Sequence, residues 1–250
     1  MRTDFSKEHG LTFIDDAGAR THSFTDLGLY PKTKGLPDPP DIQTEFIEVP
    51  GMDGSLDASQ AMDGLVHYKN RDYEQDFLIV DKEIDWHTVY SRALNALHGK
   101  HMTLIFDDDP LWYYDGRLDI GAPKPDDAGY MVFTVKGSLK PYKYNIYSST
   151  DEDWLWDPFD FETGVIRGYK DIQIDGPTTV QIIGSEMPVV PTITVLSENG
   201  DGMTVVFNGT TYQLVDGDNR VPAMTVQGGE YDLTFSGEGL VTIYFREGSL

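Results

Sequence analysis

The sequence predicts a mainly β protein, with a β-rich α+β N-terminal domain that contains one helix and a C-terminal antiparallel β-sandwich. Two observations support this fold class. A single segment repeats its apolar residues at helical spacing, whereas short β-branched and aromatic runs bounded by Gly, Pro or Asp recur elsewhere. The 250 residues allow two domains, and the aromatic content of 12% argues against disorder.

The predicted N-terminal domain spans residues 1–147. Its strands are expected at residues 42–49, 65–68, 73–80, 102–106, 112–120 and 130–139. Residues 30–41 contain four prolines, which lack the backbone donor of a sheet ladder, so this segment is predicted to be an extended connection.

The single predicted helix covers residues 84–100. Its apolar residues lie three or four positions apart and form one face, which is expected to pack on a sheet. Asp85 is predicted to be the N-cap, and Gly99 the left-handed residue that ends the helix. His87 points away from the apolar face and is expected to be solvated.

The predicted C-terminal domain spans residues 148–250 and contains no helical pattern. Its strands are expected at residues 178–183, 192–196, 203–207, 210–214, 231–235 and 240–245. Asn208-Gly209 separates two of them and is typical of a type I′ hairpin turn. Residues 217–219 and 228–229 are interpreted as further turns, so the pattern favours an antiparallel sandwich.

The charge balance excludes several partners. The chain has 19 Lys and Arg against 42 Asp and Glu, a net charge of −23. Specific or tight nucleic-acid binding is therefore not expected, because few cations are available to neutralise phosphates. No stretch of about 20 apolar residues occurs, and the first ten residues lack the apolar core of a signal peptide, so no membrane insertion is expected.

No catalytic, cofactor or metal site is predicted. The chain has no Cys, which excludes disulfides and thiolate chemistry, and it contains none of the common nucleophile, phosphate or zinc motifs. Asp107-Asp108-Asp109 is interpreted as a turn, as is the segment 216–219. His98 and His101 are separated by a helix-ending glycine and are not expected to share a metal ion.

Several phrases together resemble the distal tail protein (Dit) family of long-tailed, non-contractile phages. In chain order they are PGMDGSLD at 50–57, YKNR at 68–71, WH at 86–87, LNALHGK at 94–100, IFDDDP at 105–110, WYYDGR at 112–117, KPYKY at 140–144 and VTIYFREGSL at 241–250. Their order and spacing cover the chain from about residue 40 to its last residue.

The resemblance implies a structural role in the virion tail tip, after assembly in the host cytoplasm. The N-terminal domain would form a homohexameric ring, possibly stacked as a dodecamer, between the tail tube protein and the tail-associated hub protein of the baseplate. The C-terminal domain would be a galectin-like sandwich outside the ring, which holds a receptor-binding or adsorption protein. The family is not enzymatic, so the resemblance supplies no catalytic residues.

The Pro-Gly turn is the candidate subunit interface. Its proposed contact residues are Pro50, Gly51, Asp53, Gly54, Leu56 and Asp57. The alternative function is carbohydrate binding, in which the C-terminal sandwich attaches to host cell-wall sugar. This alternative requires exposed, clustered aromatic side chains at Trp154, Trp156 and Tyr212.

Overall fold

The computed structural model describes residues 10–33, 35–80, 85–150 and 168–250. They form two compact units, Met1–Lys143 and Tyr144–Leu250, called here the N-terminal and C-terminal units. Each unit has its own core of buried apolar side chains. The mainly β fold predicted from the sequence is confirmed, and the described residues contain one α-helix.

The N-terminal unit is built on one antiparallel sheet. The strands of this unit are β1 (Leu11–Asp15), β2 (Arg20–His22), β3 (Leu29–Pro31), β4 (Phe46–Glu48), β5 (Ser55–Asp57), β6 (Arg71–Ile79), β7 (His101–Phe106), β8 (Trp112–Ile120), β9 (Lys124–Pro125) and β10 (Met131–Leu139). The order in the sheet is β2-β1-β7-β8-β10-β6-β3, and β9 pairs with β10. Within the described ranges, strands β4 and β5 pair with each other alone, as a separate two-stranded ribbon.

The three long central strands lie where the apolar pattern predicted them. Alternate residues of β6 are buried, among them Tyr73, Phe77 and Ile79, because successive side chains of a strand point to opposite faces. In strand β10, the adjacent residues Val132 and Phe133 are both buried and point to opposite faces of the sheet. Its later residues alternate, so burial on both faces is confined to the first half of the strand.

Helix α1 (Trp86–Leu97) covers this sheet with the predicted apolar face. Val89, Ala93 and Leu97 are fully buried in the same core as the strands. Gly99 follows the helix with a φ of 72°, the left-handed conformation that was expected. Asp85 occupies the N-cap position, as expected, but its carboxylate makes no capping hydrogen bond.

The C-terminal unit is a sandwich of two four-stranded antiparallel sheets. Its strands are β11 (Lys143–Ser148), β12 (Ile172–Asp175), β13 (Thr178–Ile183), β14 (Thr192–Ser197), β15 (Met203–Phe207), β16 (Thr210–Leu214), β17 (Gly217–Asn219), β18 (Glu230–Ser236), β19 (Glu238–Tyr244) and β20 (Arg246–Ser249), with a 3-10 helix at Pro222–Met224. The two sheets have the orders β12-β19-β14-β17 and β13-β18-β15-β16, and β11 pairs with β20. Inward residues of both sheets form a single core, as the predicted sandwich requires.

The hairpin between β15 and β16 turns at Asn208 and Gly209. Their φ angles are 47° and 77°, so both central residues are left-handed, as in a type I′ turn. Phe207 pairs with Thr210 directly beside the turn. The prediction made from the Asn-Gly pair is confirmed.

Several local predictions are wrong. Tyr30 and Pro31, predicted to lie in an extended connection, pair with β6 as part of β3, and of the predicted strand at 42–49 only Phe46–Glu48 is in a strand. Residues 65–68 do not form a strand; only Tyr68 bridges to Ile42, because the Asp63 carboxylate accepts the Leu65 N–H and holds a turn there. Residues 217–219 are not only a turn, since they pair with Ile193, Thr194 and Val195 as edge strand β17. Tertiary pairing overrides turn propensity in this segment.

Candidate functional site: an exposed apolar arm

The segment between β3 and β6 leaves the sheet as an arm, defined here as residues 36–66. Its base is held by backbone bonds to the chain just before and within β6. Asp38 donates its N–H to the carbonyl of Asp72, and Gln43 donates to the carbonyl of His67, both at distances of 2.9 Å or less. Beyond this base the chain continues as the β4–β5 ribbon.

Most of the exposed large apolar side chains lie on this arm. Thirteen large hydrophobic residues are exposed in the described part of the chain, and nine of them belong to the arm. These nine are Leu36, Ile42, Phe46, Ile47, Val49, Met52, Leu56, Met62 and Val66. A concentration of exposed apolar surface marks an interaction site in a soluble protein.

The register of the ribbon separates its two faces. Phe46 is opposite Asp57, Ile47 is opposite Leu56, and Glu48 is opposite Ser55. One face therefore carries Ile47 and Leu56, and the other carries Phe46 between two carboxylates. A two-stranded ribbon without a core is only marginally stable in water, so this one gains most from packing on another surface.

Local sequence explains the shape of the arm. Prolines at 37, 39 and 40 keep its first part extended and out of the sheet. At the tip, Gly51 and Gly54 have φ angles of 85° and 80°, which allow the sharp reversal between the strands. The Ser59 hydroxyl and N–H donate hydrogen bonds to Asp57 and lower the pKa of its carboxyl, because both bonds stabilise the charged form.

The predicted interface residues are brought together at the distal part of this arm. All six of them are exposed: Pro50, Gly51, Asp53, Gly54, Leu56 and Asp57. Their contact role stays a prediction. Sequence reasoning missed Phe46, which is 60% exposed, and Met62, which is 97% exposed. The apolar run at 42–49 predicts an ordinary strand, and Phe46 differs from a core residue because β4 pairs with no second strand among the described residues.

The arm is also strongly acidic. Residues 35–68 contain no Lys or Arg. They contain seven carboxylates: Asp38, Asp41, Glu45, Glu48, Asp53, Asp57 and Asp63. A surface that binds the arm must therefore accept both apolar side chains and negative charge.

Two other polar clusters are built from contacts between His and Asp side chains. His101 lies between Asp16 and Asp115, with its ring nitrogens 2.9 and 3.1 Å from their carboxylates. His98 Nδ1 is 3.0 Å from Asp119. Among the described residues, no three His, Asp or Glu side chains converge as a metal site.

The triple aspartate forms a turn after β7, as interpreted from the sequence. Asp107 lies 3.0 Å from His22 Nε2, and Asp109 lies 2.8 Å from the Lys143 ammonium. The His22 Nδ1 accepts the backbone N–H groups of Phe24 and Thr25, which leaves Nε2 to donate to Asp107. These contacts hold the turn.

The sugar-stacking candidates do not form a described cluster. Trp154 and Trp156 lie outside the described residues. Tyr212 is half-buried on β16 and packs against the core of the C-terminal unit. The sugar site therefore stays a prediction. Within the described ranges, no helix has the length and apolar character needed to span a membrane.

The described architecture, a one-helix β-sheet unit followed by a β-sandwich, is the fold of a hub protein from a phage adsorption apparatus. The solved structure is that of SPP1 Dit (gp19.1), described as a paradigm of the hub adsorption apparatus in phages that infect Gram-positive bacteria. The two chains are 13% identical with a TM-score of 0.53, and the match covers 96% of this chain and 99% of SPP1 Dit.

No protein-family model and no curated protein sequence matches the chain. At 13% identity, the comparison with SPP1 Dit shows a shared fold. The resemblance found in the sequence phrases is thus confirmed at the level of the fold.

Proposed function

We propose that this chain is a structural component of a phage tail tip, and that its N-terminal domain, residues 1–147, assembles into a hexameric ring. The observation that carries the proposal is the exposed apolar arm on a fold shared with SPP1 Dit. Burial of Phe46 and Leu56 against another subunit would remove apolar surface from water. This burial stabilises the assembly by about 25 cal/mol for each Å² of apolar surface.

The proposed ring joins the tail tube protein to the tail-associated hub protein. The sandwich, residues 148–250, lies outside the ring and anchors a receptor-binding or adsorption protein. The separate core of the C-terminal unit supports this division of roles, since a peripheral module must fold around its own apolar residues. In this role the chain acts through protein contacts and is not an enzyme.

Assembly is tested by native mass spectrometry with negative-stain imaging. We expect a dominant species of six times 28.1 kDa, or its stacked dodecamer, and ring-shaped particles. The double variant Phe46→Ser with Leu56→Ser should lose this species, because both side chains are exposed on the isolated ribbon.

A matched control is available on the sandwich. Leu196 and Val215 are 64% and 63% exposed, similar to Phe46 and Leu56 at 60% and 52%. The variant Leu196→Ser with Val215→Ser should retain the hexamer. A hexamer that survives the arm substitutions would contradict arm-mediated assembly, and a wild-type monomer would contradict assembly by this chain alone.

A further inference from the structure

Helix α1 lacks the negative charge of the arm; Asp85 precedes it, and the Asp119 carboxylate lies 3.0 Å from His98 just after it. Residues 86–106 contain no Asp or Glu, in a chain that has 42 of them. The outward face of α1 presents His87 and Arg92 among small polar side chains. This part of the N-terminal unit is therefore suited to receive negative charge.

Three exposed cations, called here the basic strip, follow the helix and its C-terminal end. The strip consists of Arg92, Lys100 and Arg117. In the described part of the chain, Arg92 donates to the carbonyl of Asp26 and Arg117 to that of Gly99. Within the described residues, none of the three cations is paired with a carboxylate.

A shallow groove runs along the same helix face. It is lined by His87, Thr88, Ser91, Arg92, Asn95 and Ala96. The short side chains of Thr88, Ser91 and Ala96 leave room for a larger apolar group, and Arg92 provides a cation in its wall. Phe46, flanked on the ribbon by Glu48 and Asp57, has the complementary arrangement of an aromatic ring between two anions.

We infer that the arm of one copy docks on the α1 face of the next copy, with Phe46 in the groove and the arm carboxylates against the basic strip. This inference rests on the proposed ring and specifies which surface receives the arm. The ribbon side chains are exposed in their own chain, so the receiving surface belongs to another molecule. Because the arm and the helix face are different surfaces, the contact is heterologous and can close into a ring.

Charge reversal tests the pairing directly. The variant Arg92→Glu with Lys100→Glu, and separately the variant Glu48→Lys with Asp53→Lys, should each lose the hexamer in native mass spectra. All four substitutions combined in one chain should restore it, because the charges again attract. The control Arg20→Glu with Lys124→Glu changes two other exposed cations and should leave assembly intact.

Disulfide trapping tests the geometry. Because the sequence contains no Cys, a cross-link can form only between the introduced cysteines. Ser55 lies on the Phe46 face of the ribbon, and Ser91 lines the groove. The variant Ser55→Cys with Ser91→Cys should form a covalent ladder that reaches the hexamer under oxidation. The control pair, Ser55→Cys with Ser236→Cys, should not form this ladder.

The outcomes separate this inference from the proposed function. Dissociation by the arm substitutions but not by the helix substitutions would overturn docking on α1 and leave arm-mediated assembly standing. Failure of the four-fold variant to restore the hexamer, or absence of the disulfide ladder in an intact hexamer, would also overturn the inference. A wild type that stays monomeric would overturn both proposals.

Discussion

At the scale of single residues, Tyr73 is a buried aromatic side chain with an unsatisfied hydroxyl group. It lies on β6 and is 2% exposed, and its hydroxyl has no hydrogen-bond partner within the described residues. Burial raises the pKa of this phenol, so the hydroxyl stays neutral. Its ring packs edge-on against Phe106 at 6.1 Å, which explains why an aromatic ring is favoured there.

We expect Tyr73→Phe to raise the free energy of unfolding of the N-terminal unit by about 1 kcal/mol, because it removes an unsatisfied buried hydroxyl and keeps the ring. Tyr90→Phe is the matched control, since the Tyr90 hydroxyl donates to the Gly121 carbonyl at 3.2 Å and its loss should be destabilising. Urea unfolding measures both. A destabilised Tyr73→Phe variant would indicate a partner for the hydroxyl, such as a buried water.

Arg71 is a second buried polar residue of β6. It is 5% exposed, its Nε donates to the Pro141 carbonyl, and its guanidinium lies 5.5 Å from the centre of the Tyr114 ring. Burial lowers the pKa of Arg71, although the phenol of Tyr114 opposes this. The side chain thus fastens the segment after β10 to the start of β6.

At the scale of elements, the close approach of β8 to β10 depends on Gly116. A Cβ at this position would lie 2.3 Å from the Ser138 carbonyl oxygen and 2.7 Å from the Leu139 Cα. Both of these are backbone atoms of the neighbouring strand and cannot rotate away. Any side chain at position 116 must therefore separate the two strands.

We expect Gly116→Ala to lower the free energy of unfolding by about 1–3 kcal/mol, the usual cost of overpacking. Gly121→Ala is the control, because its Cβ would meet its nearest atom, the Thr134 carbonyl oxygen, at an ordinary 3.5 Å. Thermal unfolding of the two variants gives the comparison. Equal stability of the two variants would mean that β8 and β10 can shift apart without a loss of folding free energy.

At the scale of the whole molecule, the C-terminal unit includes residues before the predicted boundary at 147/148. The Arg246 guanidinium donates to the carbonyls of Asn145 and Ile146, at 2.6 and 2.7 Å. Ser149 is buried and bonds to the backbone of Ile243 and Phe245. These contacts favour a sandwich that begins with residue 144.

We expect a fragment of residues 144–250 to be more stable than one of residues 149–250 by about 1.5–3 kcal/mol, because the shorter one removes the acceptors of Arg246. Chemical denaturation of both fragments tests this. The Arg246→Met substitution should reduce the difference in stability between the two fragments, since neither fragment then contains the guanidinium donor. Equal stability without this substitution would support the boundary at 147/148.

The amino-acid sequence by itself determined the helix, the long strands and the Asn208-Gly209 turn. These features depend on neighbouring residues, since apolar periodicity selects a buried face and an Asn-Gly pair permits two left-handed residues. The structure of short segments such as 65–68 and 217–219 is decided by pairing with distant residues, because local propensity is small compared with the effect of pairing.

Only the tertiary structure decided which apolar residues remain outside a core. Phe46 and Phe77 both lie in apolar runs. Phe77 is buried between paired strands, whereas Phe46 is exposed on a ribbon that pairs with no further strand in the described part of the chain. Arg117 likewise joins Arg92 and Lys100 at this helix only because β8 pairs with β7, whose first residue follows Lys100. Exposure and charge clustering depend on contacts between residues distant in the chain, which local periodicity does not specify.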